Sequence, residues 1–493
     1  MTETAELGAL VAAGMPIVAV ESHEEARVVQ MFERYAQLEK RPLWRWSVTA
    51  GLVRTEPAES AFNTTRIEDA LREIEKSAEP GIYLFLDAHR FLDDAVVLRQ
   101  VKDIALAAES ARRLLVFVSA RIEVPQEIAR MTARFRPAMP DAKRVAEILN
   151  EEARRYRETV GEAVAATREA IAVLVQHLGG LTEDDVRRLA RLAIADDGAV
   201  CGKDLVRVLK AKHETLAGSE VLQLEAGVPD ISQLGGLAAL KRWLELRREP
   251  FLHPDPESPL PPPKGVLLLG VQGAGKSLAA KCIAGAWQLP LFRLDFGALY
   301  RKFQGETEAN LRDALAVAGA MAPCVLWMDE IEKGISGDAS GETDGGASRR
   351  ILGTLLTWMS ERTSRVFMVA TSNDISHLPP ELLRKGRFDE IFFVDLPAAA
   401  VREEILRIHL VRRKLDAAGF DLPALARASQ GFSGAELEQA VVSSLYESRA
   451  AKKPVDAPML LGEFARTKPL SVVMAEKVAG LRAWARERAV QAD

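Results

Sequence analysis

The chain has 493 residues, too many for a single hydrophobic core and suited to roughly two to four domains. Its 65 Lys and Arg against 70 Asp and Glu leave a formal charge of −5, so no whole face carries the field that grips nucleic acid or an anionic membrane, although local basic patches stay open. Three cysteines (Cys201, Cys282, Cys324) and seven histidines fall at no metal-ligand spacing, which argues against disulfides and zinc and leaves the cysteines as packing residues. The start MTETAELGAL has no basic run, and no apolar stretch reaches about eighteen residues, so a cytoplasmic protein without signal peptide or membrane span is expected.

In chain order, Ile17–Val20, Leu43–Val48, Ile82–Leu86 and Leu114–Val118 are short apolar runs separated by amphipathic segments. They predict an α/β domain with a largely parallel sheet over residues 1–140. From Asp141 the strand signals stop and helical periodicity with charged faces takes over, predicting a helical, lid-like subdomain over 141–215. Residues 216–264 read as a connector with a helix around Leu237–Arg248 and a proline-rich loop, Pro254–Pro263. A second α/β domain is expected over 265–397 and a second helical subdomain over 398–493.

The order α/β then helices occurs twice, and the two halves share short strings. Pro42-Leu43-Trp44-Arg45-Trp46 matches Pro290-Leu291-Phe292-Arg293-Leu294, Glu147-Ile148-Leu149 after Pro140 matches Glu404-Ile405-Leu406 after Pro397, and Gly180-Leu181-Thr182 matches Gly431-Phe432-Ser433. A common order at nearly constant offset points to a duplicated two-part module.

The copies differ where chemistry would sit. Gly265–Ser277, GVLLLGVQGAGKS, is a buried-strand run ending in the spacing G-x-x-x-x-G-K-S. Glycines at Gly270, Gly273 and Gly275 let backbone N–H groups turn inward around phosphates, and the helix that follows points its positive end at them. Gln272, Ala274 and Leu278 complete the loop and the helix start. Lys276 would reach the β and γ phosphates of ATP, and Ser277 would join the shell of a Mg²⁺ ion. Val325–Glu330 is a strand delivering Asp329, suited to hold Mg²⁺, and Glu330, suited to polarise a water. Asn373, after the strand Val366–Thr371, is placed to orient that water, though asparagine there also reads as a turn residue. In the first copy Glu21-Ser22-His23-Glu24-Glu25 replaces the glycines and lysine. The string Leu86-Asp87-Ala88-His89 sets alanine against Glu330, so this copy is expected to bind no triphosphate and to serve as scaffold or partner surface.

With these motifs, Asn373 through Leu382-Leu383-Arg384-Lys385-Gly386-Arg387-Phe388-Asp389 resembles the AAA group of AAA+ ATPases over Leu234 to about Glu447. The resemblance implies two tandem modules, each a parallel αβα sandwich with a helical lid, the first degenerate. It implies arginine fingers at Arg384 and Arg387 acting on a neighbouring subunit's ATP, an adenine-contacting segment at Leu234-Gly235, and a lid helix start at Gly434-Ala435. Ala435 stands where other AAA+ groups have a sensor arginine. A pore loop around Phe303 is also implied, gripping polypeptide in a ring-like homo-oligomer such as a hexamer. Gln304 departs from the aliphatic residue that loop carries, and Phe303 reads also as a core aromatic. Trp44-Arg45-Trp46-Ser47, Leu86–His89 and the tail Pro469–Trp484 are similar to the hypothetical chloroplast reading frame forty-six family of AAA ATPases. The functions implied are a Mg-dependent motor that remodels a protein client, or a slow ATP-dependent switch acting through the first copy. Nucleic acid is not favoured by the charge.

Overall fold

The computed structural model describes residues 3–55, 59–60, 63–77, 80–108, 112–195, 198–200, 202–216, 221–255, 257–300, 307–335, 345–384 and 386–493. They divide into two compact units, Met1–Val164 with Leu178–Gly198, and Ala165–His177 with Ala199–Asp493.

In the first unit, strands β1 (Ile17–Glu21), β2 (Leu43–Ser47), β3 (Gly51–Arg54), β4 (Glu59–Ser60), β5 (Gly81–Leu86), β6 (Arg113–Ser119) and β7 (Thr132–Phe135) form one sheet in the order β4-β3-β2-β5-β6-β1-β7. The run β2-β5-β6-β1-β7 is parallel, and β3 and β4 add an antiparallel edge. Every residue of β5 is buried, because helices cover both faces of a parallel sheet. Alternate residues accordingly enter two cores: Ile17 and Ala19 pack with Leu71, Val97 and Val101 on one side, Val18 and Val20 with Val28 and Phe32 on the other.

The second unit opens with a small parallel pair, β8 (Ala165–Ala166) and β9 (Ala199–Val200). Its main sheet joins β10 (Leu222–Glu225), β11 (Gly265–Gly270), β12 (Leu291–Leu294), β13 (Cys324–Met328), β14 (Val366–Ser372), β15 (Glu390–Val394) and β16 (Val490–Gln491) in the order β10-β12-β13-β14-β11-β15-β16. The helix Gly202–Leu216, which periodicity alone groups with the first module, sends Leu209 into the core of this second sheet beside Phe292 and Leu315. The tail, expected to be helical throughout, ends in β16 because Val490 pairs with Phe392 and Ala492 is buried.

The duplication is visible in the register. The first five parallel strands run second, third, fourth, first, fifth in both sheets, and β16 adds a sixth beside β15 in the second. Ile82 N donates to Pro42 O at 2.9 Å, and Val325 N donates to Pro290 O at 2.9 Å. Counting from these pairs places Leu86 opposite Asp329 and Asp87 opposite Glu330. The backbone agrees: Asp87 and Glu330 have φ of 52° and 48°, left-handed values uncommon outside glycine. The string match had set Asp87 against Asp329 and Ala88 against Glu330. The ladders correct it by one residue, so the first module keeps an acid at the second position and loses the first.

Helices Ala399–Arg412, Leu422–Ala428, Gly434–Ala451 and Ala457–Arg466 follow the second sheet and close on their own core, with Leu406, Leu410, Leu425, Phe432, Leu437 and Phe464 inside. Gly434–Ala451 starts from a capping box in which Glu436 Oε2 accepts from Ser433 N at 2.7 Å and Ser433 Oγ accepts from Glu436 N at 3.4 Å.

Candidate functional site

A cavity of about 400 Å³ opens where β11, β13 and β14 end beneath the helices after the sheet. Its lining includes Leu234, Gly235, Gln272, Gly273, Ala274, Gly275, Lys276, Ser277, Leu278, Asp329, Glu330, Asn373, Gly434 and Ala435. Those residues are spread along the chain from Leu234 to Ala435, and the sheet brings them to one edge.

The loop after β11 needs its glycines for two reasons. A side chain at Gly270 would put Cβ 2.0 Å from Val394 O, so the strand could not lie against β15. Gly275, with φ of 101°, turns the chain into the helix Lys276–Trp287. Lys276 is 5 % exposed and donates to Gly270 O at 2.9 Å and Val271 O at 2.8 Å. Burial pushes its ammonium down to about 8, against the opposing pull of Glu332, Asp329 and Glu330.

The carboxylates are held by hydroxyls and amides. Asp329 Oδ1 accepts from Ser277 Oγ at 2.9 Å and from Thr371 Oγ1 at 2.6 Å. Glu330 N donates to Thr371 Oγ1 at 3.0 Å, which fixes the turn carrying both acids. Glu330 Oε1 accepts from Asn373 Nδ2 at 2.8 Å, and its Oε2 accepts from Lys333 Nζ at 2.5 Å. The hydroxyl of Ser277 beside the carboxylate of Asp329 is a hard-oxygen pair of the kind Mg²⁺ takes when phosphates and water supply the rest of its shell. Among the described residues no group of three or more His, Cys, Asp or Glu side chains could hold a metal by itself.

The lid helices meet the loop directly. Ala435 N donates to Gly273 O at 3.0 Å, and a Cβ on Gly273 would lie 3.0 Å from Ser433 Oγ. At the other end, Lys241 Nζ donates to Leu234 O at 2.5 Å, and Gly235 abuts Ile405, whose Cγ1 would be 2.6 Å from an added Cβ. Gly236 N donates to Glu404 Oε2 at 3.0 Å, and Leu237 N donates to Asp493 Oδ1.

Arg384 and Arg387 are not in the cavity wall. Arg384 is exposed and borders a separate hollow with Leu246, Pro261 and Phe388, while Arg387 donates to Leu356 O. Asp389 of the same motif accepts from Lys264 N at 2.6 Å and Gly265 N at 2.9 Å, tying the arginine loop to the start of β11. Phe303 and the segment Lys302–Glu306 lie outside the described residues. Sequence reading missed Thr371, which the end of a buried strand could have flagged, and Ile405, Ile408, His409 and Arg412, whose helical spacing puts them on one face along the cavity. His409 Nδ1 lies 3.7 Å from Glu438 Oε1, and Arg413 donates to the same oxygen at 2.7 Å. Burial pushes His409 down and Glu438 up, but the Arg413 bond leaves Glu438 below the usual carboxylate range.

Three stretches of the chain match models of known families. Residues 3–136 match the model of the N-terminal domain of SpoVK-like AAA ATPases, residues 143–219 that of their second domain, and residues 266–396 that of the ATPase family associated with various cellular activities (AAA). The chain is 33 % identical over 480 residues to the AAA domain-containing protein ycf46 of Guillardia theta, covering 97 % of this chain and 93 % of that one. It is 31 % identical over 484 residues to ycf46 of Trieres chinensis, covering 97 % and 96 %. Over 212 residues it is 40 % identical to the ATP-dependent zinc metalloprotease FtsH 2 of Methylacidiphilum infernorum (isolate V4), covering 42 % of this chain and 32 % of that one. No helix among the described residues is long and apolar enough to cross a membrane. On identity sustained along nearly the whole of both chains, and with the AAA model falling on the sheet that carries the cavity, the chain belongs to the ycf46 family of AAA ATPases.

Proposed function

We propose that the second unit is a Mg-dependent ATP hydrolase that works in an oligomer and remodels a protein partner. The supporting observation is the convergence on one cavity of the glycine loop, the Ser277–Asp329–Thr371 set and the Glu330–Asn373 pair. In this reading the loop amides and Lys276 bind the phosphates, and Leu234, Gly235 and the lid start at Gly434-Ala435 enclose the base. Ser277 and Asp329 hold Mg²⁺, which would neutralise charge on the phosphates. Glu330 polarises water and Asn373 orients it. Arg384 and Arg387, away from their own cavity, act on a neighbour's ATP. The domain scheme is proposed with it: 1–140 and 141–215 as a degenerate module and its lid, 216–264 as linker and adenine segment, 265–397 as the ATPase sheet, 398–493 as its lid.

A slow switch is the second reading, and one observation favours it. Lys333 occupies Glu330 Oε2, so that oxygen must be released before it can act on water. Steady-state ATPase assays with and without Mg²⁺, on wild type and Glu330→Gln, test the shared core of both. Hydrolysis that survives Glu330→Gln would remove this site from the reaction.

A further inference from the structure

Behind the two acids of the cavity stands a third that does not face it. Glu332 lies in the short helix Ile331–Ile335 and is 5 % exposed. Its Oε1 accepts from Asn373 N at 2.9 Å, while its Oε2 is buried with no hydrogen-bond partner among the described residues. A carboxylate taken out of water with a single N–H donor is a costly group to keep, and it adds nothing to packing that an apolar side chain could not supply.

What the carboxylate does hold is the backbone of Asn373. That residue follows the end of β14 and leaves the ladder, so its N–H has no strand partner, and Glu332 supplies one. With the backbone fixed, Asn373 Nδ2 reaches Glu330 Oε1 at 2.8 Å. The helix carrying Glu332 is itself fixed. Tyr300 OH donates to Gly334 O at 2.7 Å, and the ring of Phe296 packs so closely that a Cβ on Gly334 would lie 2.2 Å from its Cγ.

We infer that Glu332 is a positioning residue for ATP hydrolysis: it touches neither substrate nor metal, and sets the place of Glu330 through Asn373. The inference rests on the ATPase reading of the cavity. The competing role for the same charge is to balance Lys276, and it separates cleanly. Glu332→Gln keeps an acceptor for Asn373 N and removes the charge, whereas Glu332→Ala removes both.

The test uses the full chain, with steady-state ATPase assays and direct binding of a fluorescent ATP analogue. Glu332→Ala is expected to lower kcat about tenfold or more while analogue affinity stays within about threefold. Because it acts through Asn373, the double variant Glu332→Ala/Asn373→Ala should be no slower than Asn373→Ala alone. Glu332→Gln should recover most of the rate. The inference is overturned if Glu332→Ala keeps the wild-type kcat, if its affinity falls as far as its rate, if the two single effects multiply in the double variant, or if Gln is as slow as Ala. A wild-type chain that hydrolyses no ATP would sink the ATPase reading and this inference with it. Hydrolysis untouched by Glu332→Ala would sink this inference alone.

Discussion

The two sheets share strand order and register, and they part at the turn after their first parallel strand. In the second unit Gly270–Gly275 makes that turn with backbone, and Ala435 N at the start of a lid helix donates to Gly273 O. In the first unit Ser22–Glu24 makes a shorter turn, and the matching lid helix, Glu183–Ile194, donates from Asp184 N to Glu24 Oε1 at 3.2 Å. Thr182 caps that helix as Ser433 caps its counterpart. Glu24 is 4 % exposed and is also bound by Arg27 at 2.9 Å. Glu21, at the end of β1, accepts from Arg136 Nε at 2.9 Å. The first module thus meets the donors around its turn with its own carboxylates, whereas in the second the turn carries no acid and Lys276 donates to the carbonyls of Gly270 and Val271. Two sheets of one strand order differ here by a few residues in one loop.

The sharpest way to break this comparison is Lys276→Ala. If only the second unit takes nucleotide, the whole chain should lose ATP affinity by about a hundredfold or more, about 3 kcal/mol, with its melting temperature without nucleotide little changed. Calorimetry on the full chain reads this. Unchanged ATP affinity would sink the assignment of Gly270–Ser277 as the phosphate loop.

A second test asks whether the second unit is complete by itself. Arg384 and Arg387 stand away from the cavity they follow in sequence. If they serve a neighbour, Arg387→Ala should bind ATP normally yet hydrolyse it about a thousandfold more slowly, and specific activity should rise with protein concentration. Arg387→Ala mixed with Glu330→Gln should regain turnover, since each supplies what the other lacks. Co-assembly without recovery would rule out action across an interface.

The glycine loop, the acid pair and the strands were legible because phosphate binding and buried parallel strands each demand particular residue types. The register of the degenerate copy was not. β5 and β13 are buried at every position, so no alternation marks where one strand should be aligned on the other, and only the ladders and the left-handed turn at Asp87 and Glu330 settle it. Glu332 and Thr371 could be seen in the sequence but not their partners, which lie about forty residues away. The helix Gly202–Leu216 carries an amphipathic pattern that says it packs, without saying on which sheet. A fragment cut at residue 215 would therefore carry two helices whose contacts belong to the second unit.

A smaller effect is expected at Glu24. Replacing it by Ala should remove the acceptor of Asp184 N and one of the acceptors of Arg27, and destabilise the first unit by about 1–3 kcal/mol, with ATP affinity unchanged. Hydrogen exchange should quicken across Glu183–Ile194 and leave Gly434–Ala451 as in wild type. Glu24→Gln, which retains an acceptor oxygen, should recover part of the loss. If exchange is unaltered in both variants, the carboxylate is not what closes this lid.

The smallest effect separates the two units by acid. In the first unit Glu152 sits below the usual carboxylate range because Arg191 hydrogen-bonds it, at 2.8 and 3.0 Å, and Glu183 sits below it because of Arg144, at 2.8 Å through Nε and Nη2 alike. A carboxyl whose folded pKa is depressed contributes its stability in full above its unfolded value and loses it as pH falls through the folded one. Arg191 is half exposed, and solvent screening there keeps the Glu152 pair to about 0.5–1 kcal/mol. Between neutral pH and the acid range, melting of the first unit should therefore fall more in wild type than in Glu152→Gln, which has no proton to take up at this site. The two curves should converge once the wild-type carboxyl is protonated. Curves that stay parallel across that window would show that the ion pair forms no part of what holds the first module's helices, and would leave Glu24 as the contact on which its closure depends.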